Sequence, residues 1–130
     1  MTPERRSEGL AAAVRVHRDE VLQEAVAVVR RSRVEVIRPP AAGSVMLELD
    51  SPVGSFCLTE VVVTSAEVRV DGGTGWACVL GFDEEAAVAA AILDGSAGPT
   101  AERLAEAALT EEAEQAEEEA RMAAATRVDG

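Results

Sequence analysis

The chain is poor in aromatic, cysteine and histidine residues. Its 130 residues include no tyrosine, one tryptophan, two phenylalanines, two cysteines and one histidine. A zinc site of four protein ligands would need carboxylates beside that single histidine, and no metal-ligand spacing occurs. His17 also has no Ser or Cys near it in the sequence, so a nucleophile with a histidine base is poorly supported. Cys57 and Cys78 are predicted to be reduced, buried thiols.

Basic residues and long apolar runs are also scarce. Twelve Lys and Arg stand against 24 Asp and Glu, which gives a formal net charge of -12. This charge would repel a phosphate backbone or an anionic membrane surface. No apolar run approaches the roughly 20 residues of a spanning helix, and the N-terminus lacks a secretory signal. We therefore expect a cytoplasmic protein with no nucleic-acid and no membrane partner.

A two-stranded β-ribbon is the clearest local pattern. Residues 60–70 and 76–80 read as strands, and the Gly-rich segment 71–75 reads as the turn between them. Alternation in the first strand predicts a core face, which consists of Val62, Thr64, Ala66, Val68 and Val70. The other face is apolar at its start and polar toward the turn, so we expect only the turn end to meet water. The second strand is apolar on both faces, which predicts a central strand with Trp76 and Leu80 in the core.

Two further strands precede the ribbon. Residues 33–38 alternate, and Pro39 and Pro40 are predicted to end that strand because neither has an N–H for a ladder. Residues 43–50 alternate again. Short connections make an antiparallel meander of about four strands the simplest topology.

Helical patterns flank these strands. Residues 1–32 form an N-terminal helical region, either two helices or one helix bent near Arg18, in which Asp19 is a possible N-cap. Asp83 is predicted to cap an alanine-rich helix that ends near residue 94. Residues 100–126 are mostly Ala and Glu and predict a long helix. We expect one α+β domain over residues 1–130, with helices in 1–32, an antiparallel sheet in 33–81 and helices in 83–126.

The long helix carries a narrow apolar stripe, which consists of Ala105, Leu109, Ala113, Ala116, Ala120 and Ala123. The stripe fits either a solvated helix tethered at one end or a helix that docks on another protein. A dense acidic run follows the same helix between Glu111 and Glu119. Such a run is usually a solvated face, since hard cations need converging ligands. The turn at 71–75 leads into a strand, so it cannot form a helix-terminus phosphate site. We expect no catalytic residue and no metal site.

A set of positions spread over nearly the whole chain forms an ordered pattern: Val36 to Pro40, Phe56, Leu58, Glu60, Val63, Thr64, Trp76 to Gly81, Asp83, the alanine-rich helix and Ala124 to Asp129. This ordered set resembles the PhnG family, the small subunits of the bacterial carbon-phosphorus lyase core complex. The chain departs from the family at Thr59, Ser65, Phe82 and in a short C-terminal tail. The resemblance makes the following residues family-motif or partner-interface candidates: Phe56, Leu58, Glu60, Gly81, Asp83, Thr126, Arg127 and Val128.

The resemblance also implies a function. PhnG-like proteins work with PhnH, PhnI, PhnJ and PhnL. With PhnI, PhnH and PhnL they support the displacement of adenine from MgATP by methylphosphonate, which yields α-D-ribose 1-methylphosphonate 5-triphosphate. In this family the chemistry is carried out by partner subunits, so the resemblance implies that this chain is a supporting subunit. We expect it to bind no cofactor itself. MgATP is then a substrate of the assembled complex. Two alternatives remain open: a self-associating structural protein, for instance a homodimer, and a stand-alone metal-dependent enzyme that uses the acidic cluster.

Overall fold

The computed structural model describes residues 1–51 and 54–127, with side chains at residues 1–46 and 60–124. Its architecture is α+β, as predicted, with one three-stranded antiparallel sheet in the order β1-β2-β3 and helices before and after it. The elements are α1 (Pro3–Val16), α2 (Arg18–Arg31), β1 (Val34–Ser51), β2 (Gly54–Val70), β3 (Gly73–Leu80), α3 (Glu84–Ser96) and α4 (Pro99–Arg127).

The N-terminal region consists of two helices, which decides between the two predicted arrangements. The Thr2 hydroxyl accepts a hydrogen bond from the Arg5 N–H at 3.2 Å and begins α1. His17 (φ −135°, ψ 48°) departs from helical geometry and separates α1 from α2. The predicted cap at Asp19 is wrong: α2 begins at Arg18 with His17 in the N-cap position. Asp19 lies in the first turn, where a negative charge suits the helix dipole.

The two strands predicted on either side of Pro39 and Pro40 form one continuous strand, β1, so the sheet has three strands instead of about four. The prediction that the prolines end the strand is wrong because β1 is an edge strand. Its pairing with β2 shifts register between Arg38 and Ala41, and neither proline has a partner on β2. Edge strands and bulges tolerate proline because no ladder hydrogen bond is lost there.

The predicted hairpin is confirmed, with a shorter turn. Val70 pairs with Gly73, and the two residues between them, Asp71 and Gly72, have φ of +47° and +88°. Two consecutive positive φ values are typical of the two-residue hairpin turn that matches strand twist. The meander topology is confirmed as well, since both strand pairs are antiparallel.

The sheet has one buried face, which we call the inner face and which packs against α3. The inner face includes the predicted residues Thr64, Ala66, Val68 and Val70, all buried, together with Ala77 and Val79 of β3. The prediction that β3 is central is wrong, because β3 is the second edge of the sheet. Trp76 and Leu80, predicted in the core, are 45% and 52% exposed. They alternate with Ala77 and Val79 and therefore point away from α3.

The core is built mainly from small side chains, and helices and sheet approach each other closely. A Cβ atom on Gly9 of α1 would lie 2.7 Å from the carbonyl oxygen of Ala105 in α4. A Cβ atom on Gly75 of β3 would lie 2.7 Å from the Cα of Gly95 in α3. Distances this short leave no room for any side chain. Glycine at 9 and 75 thus permits α1 to pack on α4 and α3 to pack on β3.

A buried carboxylate joins α1, α3 and β3. Asp94 is 7% exposed. One of its oxygens accepts hydrogen bonds from Arg6 Nε at 3.0 Å and Ser7 Oγ at 3.3 Å, and the other accepts from the backbone N–H of Trp76 at 2.9 Å. Burying a carboxylate is favourable only when its oxygens are hydrogen-bonded and its charge is balanced. The network meets both conditions. It also provides an acceptor for the Trp76 N–H, which points away from β2 at the edge of the sheet.

The long C-terminal helix is confirmed, but its buried side differs from the predicted stripe. Its first half packs on α1 through Ala101, Leu104, Ala105 and Ala108. Residues 113–124 are exposed. The reason is length, because the 29 residues of α4 span about 43 Å and the 14 of α1 about 21 Å. The predicted stripe continues past the point where a neighbouring helix ends.

The turn between β3 and α3 is held by Thr64, Gly81, Asp83 and Arg18. The buried Thr64 hydroxyl donates to the Gly81 carbonyl at 2.6 Å and accepts from the Asp83 N–H at 3.1 Å. Asp83 Oδ1 caps α3 by accepting from the Ala86 N–H at 3.2 Å, as predicted. Arg18 donates to both Asp83 oxygens at 2.8 and 2.9 Å. The hydrogen bonds from the guanidinium lower the pKa of Asp83, and the same hydrogen bonds to the carboxylate raise the pKa of Arg18.

Two leucines provide a test of which sheet face is buried. Leu93 on α3 is 1% exposed, whereas Leu80 is 52% exposed. Leu93→Ala should lower the free energy of unfolding by about 2 to 5 kcal/mol, because it removes packed methyl groups and leaves a cavity. Leu80→Ala should cost less than about 1 kcal/mol. Urea denaturation of both variants measures the difference, and equal losses would contradict the assignment.

The Arg18–Asp83 pair should make stability depend on acid pH. A carboxyl whose pKa is lower in the folded state stabilises the protein above its unfolded pKa, here near 3.8, and loses that effect as pH falls through the folded pKa. Asp83→Asn keeps a helix-capping oxygen and removes the charge. The variant should melt below the wild type at pH 7, and the gap should narrow only as pH falls from about 3.8 toward the lower folded pKa. Glu84→Gln, which changes an exposed neighbouring carboxylate, is the control and should show a smaller gap at pH 7.

Candidate partner-binding surface

The face of the sheet opposite α3 carries exposed and half-buried apolar side chains. We call it the outer face; it consists of Val45, Val61, Val63, Trp76, Cys78 and Leu80. The register places Val45 opposite Val61 on the neighbouring strand, and Val63 opposite Leu80. At the β3 edge of this face, Trp76 and Cys78 share a shallow pocket with Pro3, Ser7 and Ala11 of α1. Contiguous exposed apolar area of this kind marks interaction sites in proteins.

A polar margin borders the outer face on the side of the β2–β3 turn. Arg38 forms an ion pair with Glu67 at 2.7 Å, and Arg69 lies 3.7 Å from Glu35. The expectation that only this turn end meets water is wrong, because Val45 and Leu80 in the apolar part of the outer face are also exposed. An apolar centre with a hydrated polar rim is the usual anatomy of a protein interface.

The sheet continues past its core as a two-stranded ribbon. β3 pairs with residues 63–70 of β2, and the N-terminal part of β2 pairs with β1 alone. Near the base of this ribbon, a shallow pocket is lined by Ala42, Gly43, Ser44, Glu60, Val62 and Phe82. Phe82 is 80% exposed. Its position in the connection after β3, outside any strand or helix, explains why strand alternation did not identify it.

The sequence-predicted candidates are distributed over several elements. Glu60 lies exposed on the ribbon opposite Met46, beside Phe82. Gly81 adopts φ +83°, a value that favours glycine, and Asp83 caps α3 and binds Arg18. The structure thus gives Gly81 and Asp83 roles in shaping the turn that places Phe82 at the surface. Whether any of the candidates touches a partner stays a prediction.

The remaining candidates lie outside the described side chains. Phe56 and Leu58 belong to β2, and Thr126 and Arg127 belong to the last turn of α4, but only their backbone is described. Val128 lies beyond the described residues.

A second apolar surface lies between α2 and α3. This groove, of about 700 Å³, is lined mostly by apolar side chains, among them Leu22, Val26, Val29, Val88 and Ile92. Val26 and Val29 are each 49% exposed. Helical periodicity predicts that α2 has an apolar side. It does not predict how much of that side α3 covers.

Two residues with the chemistry of a base or a nucleophile, His17 and Cys78, lie in different parts of the fold, at the α1–α2 junction and on β3. His17 is half-buried and lies 2.9 Å from Glu111 of α4, so its ring ties the α1–α2 junction to α4. Burial raises the pKa of the Cys78 thiol, which disfavours the reactive thiolate. No three His, Cys, Asp or Glu side chains converge as a possible metal site within residues 1–46 and 60–124.

The two cysteines are far apart along β2. Cys78 lies opposite Ser65, whereas Cys57 belongs to β2 itself, eight residues from Ser65 and opposite Leu49. Eight strand residues span about 26 Å, well beyond the 7 Å limit for a disulfide. The register therefore excludes an intrachain bridge between them.

None of the described helices combines the length and the apolar composition of a membrane-spanning segment. Comparison with curated proteins gave no match. Comparison with protein-family models gave a match to "Phosphonate metabolism protein PhnG" over residues 4–129. The match covers the helices, the sheet and the outer face described above. The chain therefore belongs to the PhnG family of phosphonate metabolism proteins.

Proposed function

We propose that this protein is a non-catalytic, supporting subunit of a carbon-phosphorus lyase core complex. In that assembly it acts with PhnI, PhnH and PhnL in forming α-D-ribose 1-methylphosphonate 5-triphosphate from MgATP and methylphosphonate, with release of adenine. PhnJ is a further partner. The chemistry takes place on partner subunits, and this chain supplies a docking scaffold.

The uncovered outer face of the sheet is the observation that carries the proposal. Trp76 and Leu80, two of the larger apolar residues of the chain, are about half exposed there although smaller residues fill the core. Leaving such side chains in water forgoes about 25 cal/mol for each Å² of apolar surface. A partner that covers them recovers this free energy, and aromatic residues dominate binding at protein interfaces.

Charge supports the non-catalytic role. A chain with a formal net charge of -12 repels a triphosphate and a phosphonate. Several of its arginines are already engaged with carboxylates, among them Arg6 with Asp94, Arg15 with Glu112 and Arg18 with Asp83. The cations that hold such substrates are therefore expected on a partner.

Charge placed on the outer face should prevent assembly. Leu80→Glu should reduce capture of this chain by co-expressed PhnI, PhnH and PhnJ at least tenfold, because it buries an unpaired carboxylate at the interface. Val26→Glu on α2 is the matched control, since Val26 is also apolar and about half exposed. Affinity purification followed by size-exclusion chromatography measures the capture.

The results for the two variants would be reversed if the partners bind the α2–α3 groove instead of the outer face. Loss of assembly in Val26→Glu, with full assembly in Leu80→Glu, would place the interface in the α2–α3 groove. Migration of the wild-type chain as a lone species in the presence of all partners would overturn the subunit role itself.

Activity should require the partners. The purified chain incubated with MgATP and methylphosphonate should release no free adenine, and release should start when PhnI, PhnH and PhnL are added. Chromatographic detection of adenine measures both reactions. Turnover by this chain alone would favour the alternative of a stand-alone metal-dependent enzyme.

A further inference from the structure

The two edges of the sheet differ in how far other parts of the chain cover their backbone groups. The β3 edge is blocked at Gly75 and Trp76, because the Trp76 N–H donates to Asp94 and Gly75 lies against Gly95 of α3. β1 forms the other edge, and no strand of the described part of the chain pairs with its outer side. Pro39 and Pro40 remove two N–H groups near the middle of β1. Beyond them the edge carries no proline up to Ser51.

The hydrogen-bond pattern tells which groups of β1 face outward. The Gly81 N–H donates to the Val62 carbonyl at 2.8 Å, so the backbone polar groups of Val62 point to the β3 side. Val62 lies opposite Ser44. In an antiparallel pair the N–H and C=O of one residue point to the same side, and the sides alternate along the strand. The backbone groups of Ser44 therefore point away from β2, as do those of Ala42 and Met46.

These outward groups lie on an accessible edge. Every residue from Ala41 to Met46 is exposed. An open edge with unpaired N–H and C=O groups is a template for another strand, and a two-stranded ribbon is marginally stable by itself in water. A third strand along β1 would complete the ribbon and satisfy the backbone groups of Ala42, Ser44 and Met46.

Charge selects the occupant. Between Arg38 and Arg69 the chain contains no basic residue and four acidic ones, Glu48, Asp50, Glu60 and Glu67. Glu67 is already paired with Arg38. A second copy of this chain would bring the same acidic ribbon and the same net charge of -12, and so would be repelled. A strand that carries Lys or Arg is complementary to this ribbon.

We propose that the open edge of β1, at Ala42, Ser44 and Met46, binds an extended, basic strand of a partner subunit by β-strand addition. The inference rests on the proposed role as a subunit and adds the mode of contact and the chemistry of the partner segment. The edge strand and the outer face then belong to one continuous interface around the ribbon.

Ser44→Pro and Ser44→Ala form the test pair. Proline removes an outward N–H and leaves the ladder to β2 intact, whereas alanine removes only the hydroxyl. In pull-down titrations with the co-expressed partner subunits, Ser44→Pro should bind at least tenfold more weakly and Ser44→Ala within twofold of the wild type. Circular dichroism and melting temperatures check that both variants fold.

Hydrogen–deuterium exchange on the wild-type chain gives a measurement that needs no variant. The Ala42, Ser44 and Met46 amides should exchange fast in the isolated chain and at least tenfold more slowly in the complex. Strand addition is wrong if the complex forms without slower amide exchange at these residues and Ser44→Pro binds as tightly as Ser44→Ala. In that case the proposed subunit role still stands.

If no complex forms at all, the subunit role fails. A wild-type homodimer that Ser44→Pro dissociates would make the occupant a second copy and overturn the basic partner.

Discussion

Close packing of alanine and glycine is the constraint on which the rest of this structure depends. More than half of the described core residues are alanines, and the helices and the sheet meet at Gly9 with Ala105 and at Gly75 with Gly95. Small side chains let α3 lie close on the inner face, but each contributes little apolar area. The available apolar volume is sufficient for one layer of helices over one sheet face. The larger residues Trp76, Leu80 and Phe82 remain at the surface, the reverse of the usual distribution.

Ion pairs that join distant parts of the chain supplement this modest core. Asp94 links α1 with β3, Asp83 links α3 with Arg18 of α2, and Glu112 links α4 with Arg15 of α1. The buried Asp94 network is expected to matter most, because removing one partner leaves a charge in the interior without compensation. The same pairs engage arginines of a chain that has few basic residues. The remaining surface is acidic and favours basic partners over anionic substrates.

Local patterns predicted individual elements well and their surroundings poorly. The cap at Asp83, the hairpin turn at Asp71 and Gly72, and the helix α4 depend on interactions within a few residues, and the structure confirms them. The continuity of β1 through Pro39 and Pro40 depends on its place at the edge of the sheet. Alternation placed Trp76 and Leu80 on one face of β3 correctly, but it does not tell whether a layer covers that face.

The sequence by itself determined the α+β class, the order of helices and strands, the acidic charge and the family, because composition, periodicity and the order of motifs are properties of the chain. Which apolar side chains are buried was decided only by the tertiary structure. Burial depends on neighbours distant in sequence, such as α3 over the inner face and Asp94 at the β3 edge. The outer face and the β1 edge are open because no such neighbour in the described part of the chain covers them. These are the two surfaces that we propose for partners.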